Sequence, residues 1–265
     1  MNKKIKEKNG RQAILPRVIF IIGFLALWEV ICKLQLFPPI LFPSLEAVMS
    51  ALFKGFLTEA LWSKVLYSMT LIVKGMLYGL LLALLFSVLA IISKTCYSIY
   101  SMIVATLDLI PGVALVPLAI LWFGVGEETI IFIVLHSIVW PVSRNILDGF
   151  TSIPGIFIEF GKNIGLRGIR LVLSVYIPAA FSYLLSGLRV GWARAWRAVI
   201  STEMIFGTTS AGSGIGWYIY MKRTSLDTAG VFASLIVIVL VGLVVEYGLF
   251  GTIEKHTVLK WGIAK

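Results

Sequence analysis

Six times in this chain of 265 residues an apolar run lasts about twenty residues or more. At 1.5 Å of helix rise per residue, such a run matches the roughly 30 Å hydrocarbon core of a bilayer. The runs cover roughly residues 18–37, 65–92, 97–123, 129–148, 180–206 and 229–250. What remains is too poor in charge to coat a soluble core. Charged residues make up 14% of the chain, where a soluble domain has about 25%. Mean hydropathy is +0.97. The expectation is an all-α membrane protein with six spans. Pro111 and Pro117 fall in the third run and Pro141 in the fourth, where kinks are expected because neighbouring helices satisfy the freed carbonyls.

The basic residues give these spans a direction. With the N-terminus inside, the inner segments hold 14 Lys and Arg and the outer segments hold 4, which is the bias of an N-in, C-in protein. The first run is too long for a cleaved leader and lacks a small-residue cleavage site, so it reads as a retained span. The net charge of +10 does not mark a nucleic-acid binder, because the basic residues form no single face or stripe. Cys32 and Cys96 end different runs on opposite sides, so no disulfide is expected, and no metal-ligand spacing occurs. The division read from the sequence is residues 1–60 (basic terminus, first helix and outer loop), 61–250 (the remaining spans) and 251–265 (a cytoplasmic tail).

In this topology the largest inner segment contains "IEFGKNIGLRGIRLVLSVYIPAA", residues 158–180. Ser152 is read as an N-cap, with Pro154 in the first turn of a helix to about Asn163. Gly165 ends that helix, and a second short helix runs until Pro178 stops it. An amphipathic linker lying on the inner leaflet and a docking element for a cytoplasmic partner fit these residues equally well. On the outer side, Ser44 is expected to cap a short helix lying at the surface. Residues 207–228, rich in Gly and Ser, read as an outer loop, in part re-entrant.

Ionisable residues inside a membrane are costly and are candidates for function. Asp108 lies in the third run, and Arg194, Arg197 and Glu203 in the fifth. They are read either as lining a path, where the arginines would favour an anionic solute, or as buried partners that limit each other's desolvation cost. Glu29 and Lys33 are four apart and suited to a local pair. Lys74 is expected to reach the outer headgroups, and Glu246 and His256 to be solvated near the inner end. Tryptophans 28, 62, 122, 140, 217 and 261 are assigned to an interfacial belt. Gly75 and Gly79 would let two helices approach closely.

The inner segment resembles the loop of ATP-binding-cassette (ABC) importer permeases, whose signature runs Glu-Ala-Ala, three residues, Gly, nine residues, Ile-x-Leu-Pro. This chain has Glu159-Phe160-Gly161, then three residues, Gly165, nine residues and Val175-Tyr176-Ile177-Pro178. Phe160 and Gly161 stand where the family has alanines. Residues 109–128, 186–204 and 212–219 resemble segments of the permeases for nitrate, sulfonates, taurine and related solutes. The resemblance implies a type I importer permease core with six helices and a cytoplasmic coupling loop around Glu159–Gly165, jointed at Ile177 and Pro178. It also implies a second permease subunit, probed first as an identical copy, two cytoplasmic ATPase subunits and an outer solute-binding protein. The chain would sit in the inner or plasma membrane of a prokaryote.

Motifs expected of other classes are missing from the sequence. No G-x-x-x-x-G-K-[ST] phosphate loop occurs, so ATP and Mg²⁺ would be held by a partner ATPase and no cofactor by this chain. The only histidines are His136 and His256, with no H-E-x-x-H or nucleophile-elbow motif; the chain is read as a non-catalytic subunit. An ion-gradient-driven secondary transporter or channel is the alternative, though the internal repeats common in such transporters are not evident.

Overall fold

The computed structural model describes residues 2–207, 212–258 and 260, the side chains of 2–14 and 206 excepted. Trp261, part of the outer segment (208–211) and most of the tail lie outside the described residues. In chain order the helices are α1 (Asn2–Lys33), α2 (Leu45–Leu57), α3 (Leu61–Ala90), α4 (Lys94–Leu107), α5 (Val116–Phe123), α6 (Glu127–Thr151), α7 (Gly155–Asn163), α8 (Gly168–Ala179), α9 (Phe181–Phe206), α10 (Ile215–Thr224) and α11 (Thr228–His256). Four of them are long and apolar enough to cross a membrane, and two bent pairs, α4 with α5 and α8 with α9, raise the number to six.

The chain divides into two compact units, residues 1–60 with 221–236 and residues 61–220 with 237–265. In the smaller one, the apolar part of α1 covers Leu15–Lys33, ending before the expected Phe37 because the chain turns at Gln35 with φ 51°. Ser44 Oγ accepts the Ala47 N–H at 3.2 Å and starts α2. Trp28 holds the connection, donating to the Pro43 carbonyl at 3.0 Å and stacking on Phe42 at 4.7 Å. Glu29 does not pair with Lys33. Its carboxylate instead accepts the Leu45 N–H at 3.4 Å, at the first turn of α2, where the unsatisfied amides and helix dipole favour a negative charge.

In the larger unit α6 is the central element, buried along most of its length between α3 and α9. The α3 contact depends on two glycines. A Cβ on Gly75 would lie 2.2 Å from Val134 Cγ1, and one on Gly79 would lie 2.9 Å from Ile138 Cγ2. Small residues permit such close approach of membrane helices. The exterior is as apolar as the interior: Val73, Leu77, Leu81 and Leu85 of α3 are each more than half exposed, while Ser68, Ser87, Ser143 and Thr202 are fully buried. That inversion suits a chain whose solvent is hydrocarbon.

The prolines act differently from expectation. Pro111 does more than kink the third span. It follows a break at Asp108 and precedes a 3₁₀ turn, Gly112–Leu115, and the two halves bend by 86°. Pro117 occupies the first turn of α5, where its missing N–H is no loss. α6 runs unbroken through Pro141. Ser152 does not begin α7; it closes α6, donating to the Gly149 carbonyl at 2.8 Å, and Pro154 stands before α7 instead. Pro178 does not stop α8, which continues to Ala179 because the preceding turn, Val172–Tyr176, is a wider π-helix. The bend of 71° falls one residue later, between α8 and α9.

Candidate functional site

The break in the third span brings charge together. Asp108 caps α4 at the point where the chain turns, and its side chain is 11% exposed. Arg194 of α9 donates to its Oδ1, and Arg144 of α6 lies 3.3 Å from its Oδ2. One carboxylate thus ties two helices to the broken one. Gly112 makes the approach to α6 possible, since a Cβ there would lie 2.6 Å from Ser137 Oγ.

A cleft of about 330 Å³ opens beside this break, lined among others by Asp108, His136, Ser137, Trp140, Arg194 and Arg197. Arg197 stands three residues beyond Arg194, one helical turn on. Among the described residues no carboxylate lies within ion-pair distance of it. His136 and Trp140 meet edge to face at 5.8 Å, so Trp140 belongs to the cleft wall and not to an interfacial belt. His136 Nδ1 and Trp140 Nε1 have no hydrogen-bond partner among the described residues.

Of the four ionisable candidates, three meet here and Glu203 does not. Glu203 is 1% exposed. Its carboxylate accepts Ser68 Oγ–H at 2.7 Å and the Gly216 N–H at 2.9 Å, while Ser68 Oγ accepts the Ile215 N–H at 3.0 Å. These contacts sit at the first turn of α10, whose amide dipoles stabilise the charge in place of a cation. Sequence reading missed Arg144, His136 and Ser68. The first two had a signal: His136, Ser137, Trp140 and Arg144 recur at helical spacing on one face of α6. Ser68 had none.

Other expected solvated charges are paired. Arg189 bridges Glu246 at 3.1 Å and Glu254 at 2.9 Å, so Glu246 is held within the helical unit. Lys74 reaches Glu127 at 3.0 Å. His256, as expected, is exposed, its ring bonded to the Thr252 carbonyl at 2.9 Å.

The segment around Glu159 forms a small rigid knob. α7 ends in a Schellman turn, with Gly165 N–H bonded to the Lys162 carbonyl and Leu166 N–H to that of Gly161, both at 3.0 Å. The turn requires a positive φ, and Gly165 has φ 86°. Gly161 is buried against Leu171 and Val175, which fold α8 back onto α7. Outward the knob presents Ile156, Phe157, Phe160 and Ile164, each more than half exposed, with Glu159 and Lys162 among them. Ile177 is half-buried and Pro178 exposed at the far end of α8. A short helix fixed at its C-terminus and apolar on its outer face can seat in another protein's groove.

Known proteins share these features. Residues 75–256 match the family described as the binding-protein-dependent transport system inner membrane component. An ABC transporter permease protein of Methanocaldococcus jannaschii is 32% identical over 237 residues, covering 88% of this chain and 87% of its own. The taurine transport system permease protein of Escherichia coli is 26% identical, with 94% and 93% covered. An aliphatic sulfonates transport permease protein of the same organism is 28% identical, with 83% and 82% covered. The chain therefore belongs to the binding-protein-dependent transport system inner membrane component family, and is a multi-pass inner-membrane permease of the ABC transporter class.

Proposed function

We propose that this chain forms, with a second identical copy, the membrane path of an ATP-driven importer for a small solute bearing an anionic group, such as a sulfonate, taurine, nitrate or a related nutrient. Residues 61–250 would carry the path, 1–60 an added first helix and outer loop, and 251–265 a cytoplasmic tail. N-in, C-in orientation is supported by the 14 to 4 distribution of Lys and Arg. It sets the knob in the cytoplasm, where two ATPase subunits would bind it and hydrolyse ATP with Mg²⁺. This chain would hold no cofactor and catalyse no reaction. An outer binding protein would deliver the solute.

The observation that carries this reading is the knob itself. Apolar side chains stand in water on a braced helix within a permease, a costly arrangement unless a partner covers them. Glu159, Phe160, Gly161 and Gly165 would form the seat, and Ile177 and Pro178 the joint through which its motion reaches α9. The test is uptake by proteoliposomes containing the permease, its ATPase and its binding protein. Glu159→Lys should leave the permease inserted while separating ATP hydrolysis from uptake. Normal coupled uptake in this variant, or nucleotide-independent uptake by the permease alone, rejects the proposal.

A further inference from the structure

Two arginines and one carboxylate line the cleft beside the broken span. That carboxylate, Asp108, is shared with a third arginine, Arg144, outside the lining. Positive charge is therefore in excess within a membrane-spanning region, where an uncompensated charge is expensive. Hydrogen-bond donors are in excess as well. Trp140 Nε1 can only donate, and it has no partner among the described residues. His136 is 8% exposed and its Nδ1 is also unpartnered. Buried polar groups are rarely left so. What the cleft lacks is negative charge and acceptor oxygens together.

We propose that this cleft is a subsite for the oxyanion head of a small solute. The inference rests on the reading of the chain as a path-forming subunit and deepens it by assigning the group recognised inside the membrane. Arg197 supplies a charge-assisted hydrogen bond, and the Trp140 indole supplies a neutral one. His136 adds a donor in the tautomer that carries its proton on Nδ1. Arg194 is held against the wall by Asp108 and contributes field without closing on the ligand. A volume of about 330 Å³ is at the small end of ligand clefts, about 300–1,000 Å³, and suits a compact solute. The phosphate of an anionic lipid offers the same oxygens, so the source must be separated by experiment.

The test uses the permease assembled with its ATPase in phosphatidylcholine nanodiscs at constant ionic strength. It is titrated with methanesulfonate or with dimethyl sulfone, which has nearly the same shape and no charge. Methanesulfonate should raise the thermal midpoint saturably and the sulfone should not. Arg197→Gln should raise the half-saturating concentration about tenfold, with Arg197→Lys intermediate. If Arg197→Gln does not fold, Trp140→Phe should still weaken the response several-fold. Equal responses to the two probes overturn the subsite, as do unchanged responses in these variants. An effect seen only when phosphatidylglycerol is added assigns the site to a lipid headgroup and also overturns it. ATPase retention is scored on the same sample, so loss of the anion response with the ATPase bound rejects the subsite alone, and an anion response without a bound ATPase counts against the importer reading alone.

Discussion

Ser68 and Glu203 are 135 residues apart, and the Ser68 hydroxyl lies 2.7 Å and 2.9 Å from the two carboxylate oxygens. The pair is fully enclosed, and among the described residues no cation neutralises it. Its compensation is the start of α10, where the Gly216 and Ile215 amides point at Glu203 and Ser68 respectively. There is no spare room: a Cβ on Gly214 would lie 2.0 Å from Glu203 Oε1, and one on Gly216 would lie 2.2 Å from the Ile200 carbonyl oxygen.

Glu203→Ala should therefore destabilise the purified permease by about 1–3 kcal/mol, because it strands the Gly216 amide and the Ser68 hydroxyl. Glu203→Gln retains a carbonyl for Gly216 and should cost less than alanine. Chemical unfolding in detergent, followed by circular dichroism, measures both. Equal losses would show that shape alone, and not hydrogen bonding, matters at this position.

Asp108 predicts a coupling between substitutions. Asp108→Asn leaves Arg144 and Arg194 with no carboxylate between them, and should lower stability by about 1–2 kcal/mol. That figure is discounted because the two arginine side chains are 49% and 38% exposed. Arg144→Gln added to Asp108→Asn should recover part of the loss. A double-mutant cycle with strictly additive effects would mean that Arg144 and Asp108 do not interact.

The spans were legible because length and apolarity are properties of one segment at a time. The break at Asp108 was half legible, since Pro111 marked the place but not the size of the turn. Pro117 and Pro141 were misread because a proline's effect depends on its position in the helix. At the first turn its absent amide costs nothing, and inside α6 the surrounding helices hold the backbone straight. Pairing between distant charges was open in the sequence: Arg194 found Asp108 as one reading allowed, while Glu203 found a serine and two amides that no spacing rule could select. The knob was legible at Gly165, whose positive φ only glycine adopts freely. Ser152 was not, because serine serves equally well as an N-cap and as a hydroxyl bonded back to its own helix.

Two glycines of the knob should respond oppositely. Gly165 has open space around it but φ 86°, so Gly165→Ala meets no neighbour and still pays about 1–2 kcal/mol of left-handed strain. Gly165→Asn should recover part of it. Gly161→Ala restores an alanine at the position where the resembling signature has one. Its Cβ would lie 2.8 Å from Leu171 Cδ1 and 3.1 Å from Val175 Cγ2, and the tip of Leu171 can move aside. We expect a cost below about 1 kcal/mol. Hydrogen exchange of the amides in 155–166 measures both, and a larger effect at Gly161 than at Gly165 contradicts this account.

The last prediction concerns acid. Asp227 follows α10, outside the spans, and its carboxylate takes bonds from Lys222 Nζ at 2.8 Å and from the Gly230 N–H at 2.9 Å. Burial pushes its carboxyl up, but the bonds from Lys222 and Gly230, with the charges of Lys222 and Lys54, outweigh burial and hold it below its ordinary 3.8. A carboxyl depressed in the folded state contributes its full stabilisation above 3.8 and loses it as pH falls through the lower folded value. The thermal midpoint of the wild type should thus drop when pH is taken below 3.8. Lys222→Met removes the first-ranked of the lowering partners, and in that variant the part of the drop that belongs to Asp227 should shrink. Lys222 also meets Glu59 at 2.8 Å, so Asp227→Asn is the necessary companion: it should remove the same portion of the acid response while leaving the Glu59 pair intact. If the variants and the wild type lose stability in parallel over this range, the acid response belongs to other carboxylates and the Lys222–Asp227 pair contributes nothing to it.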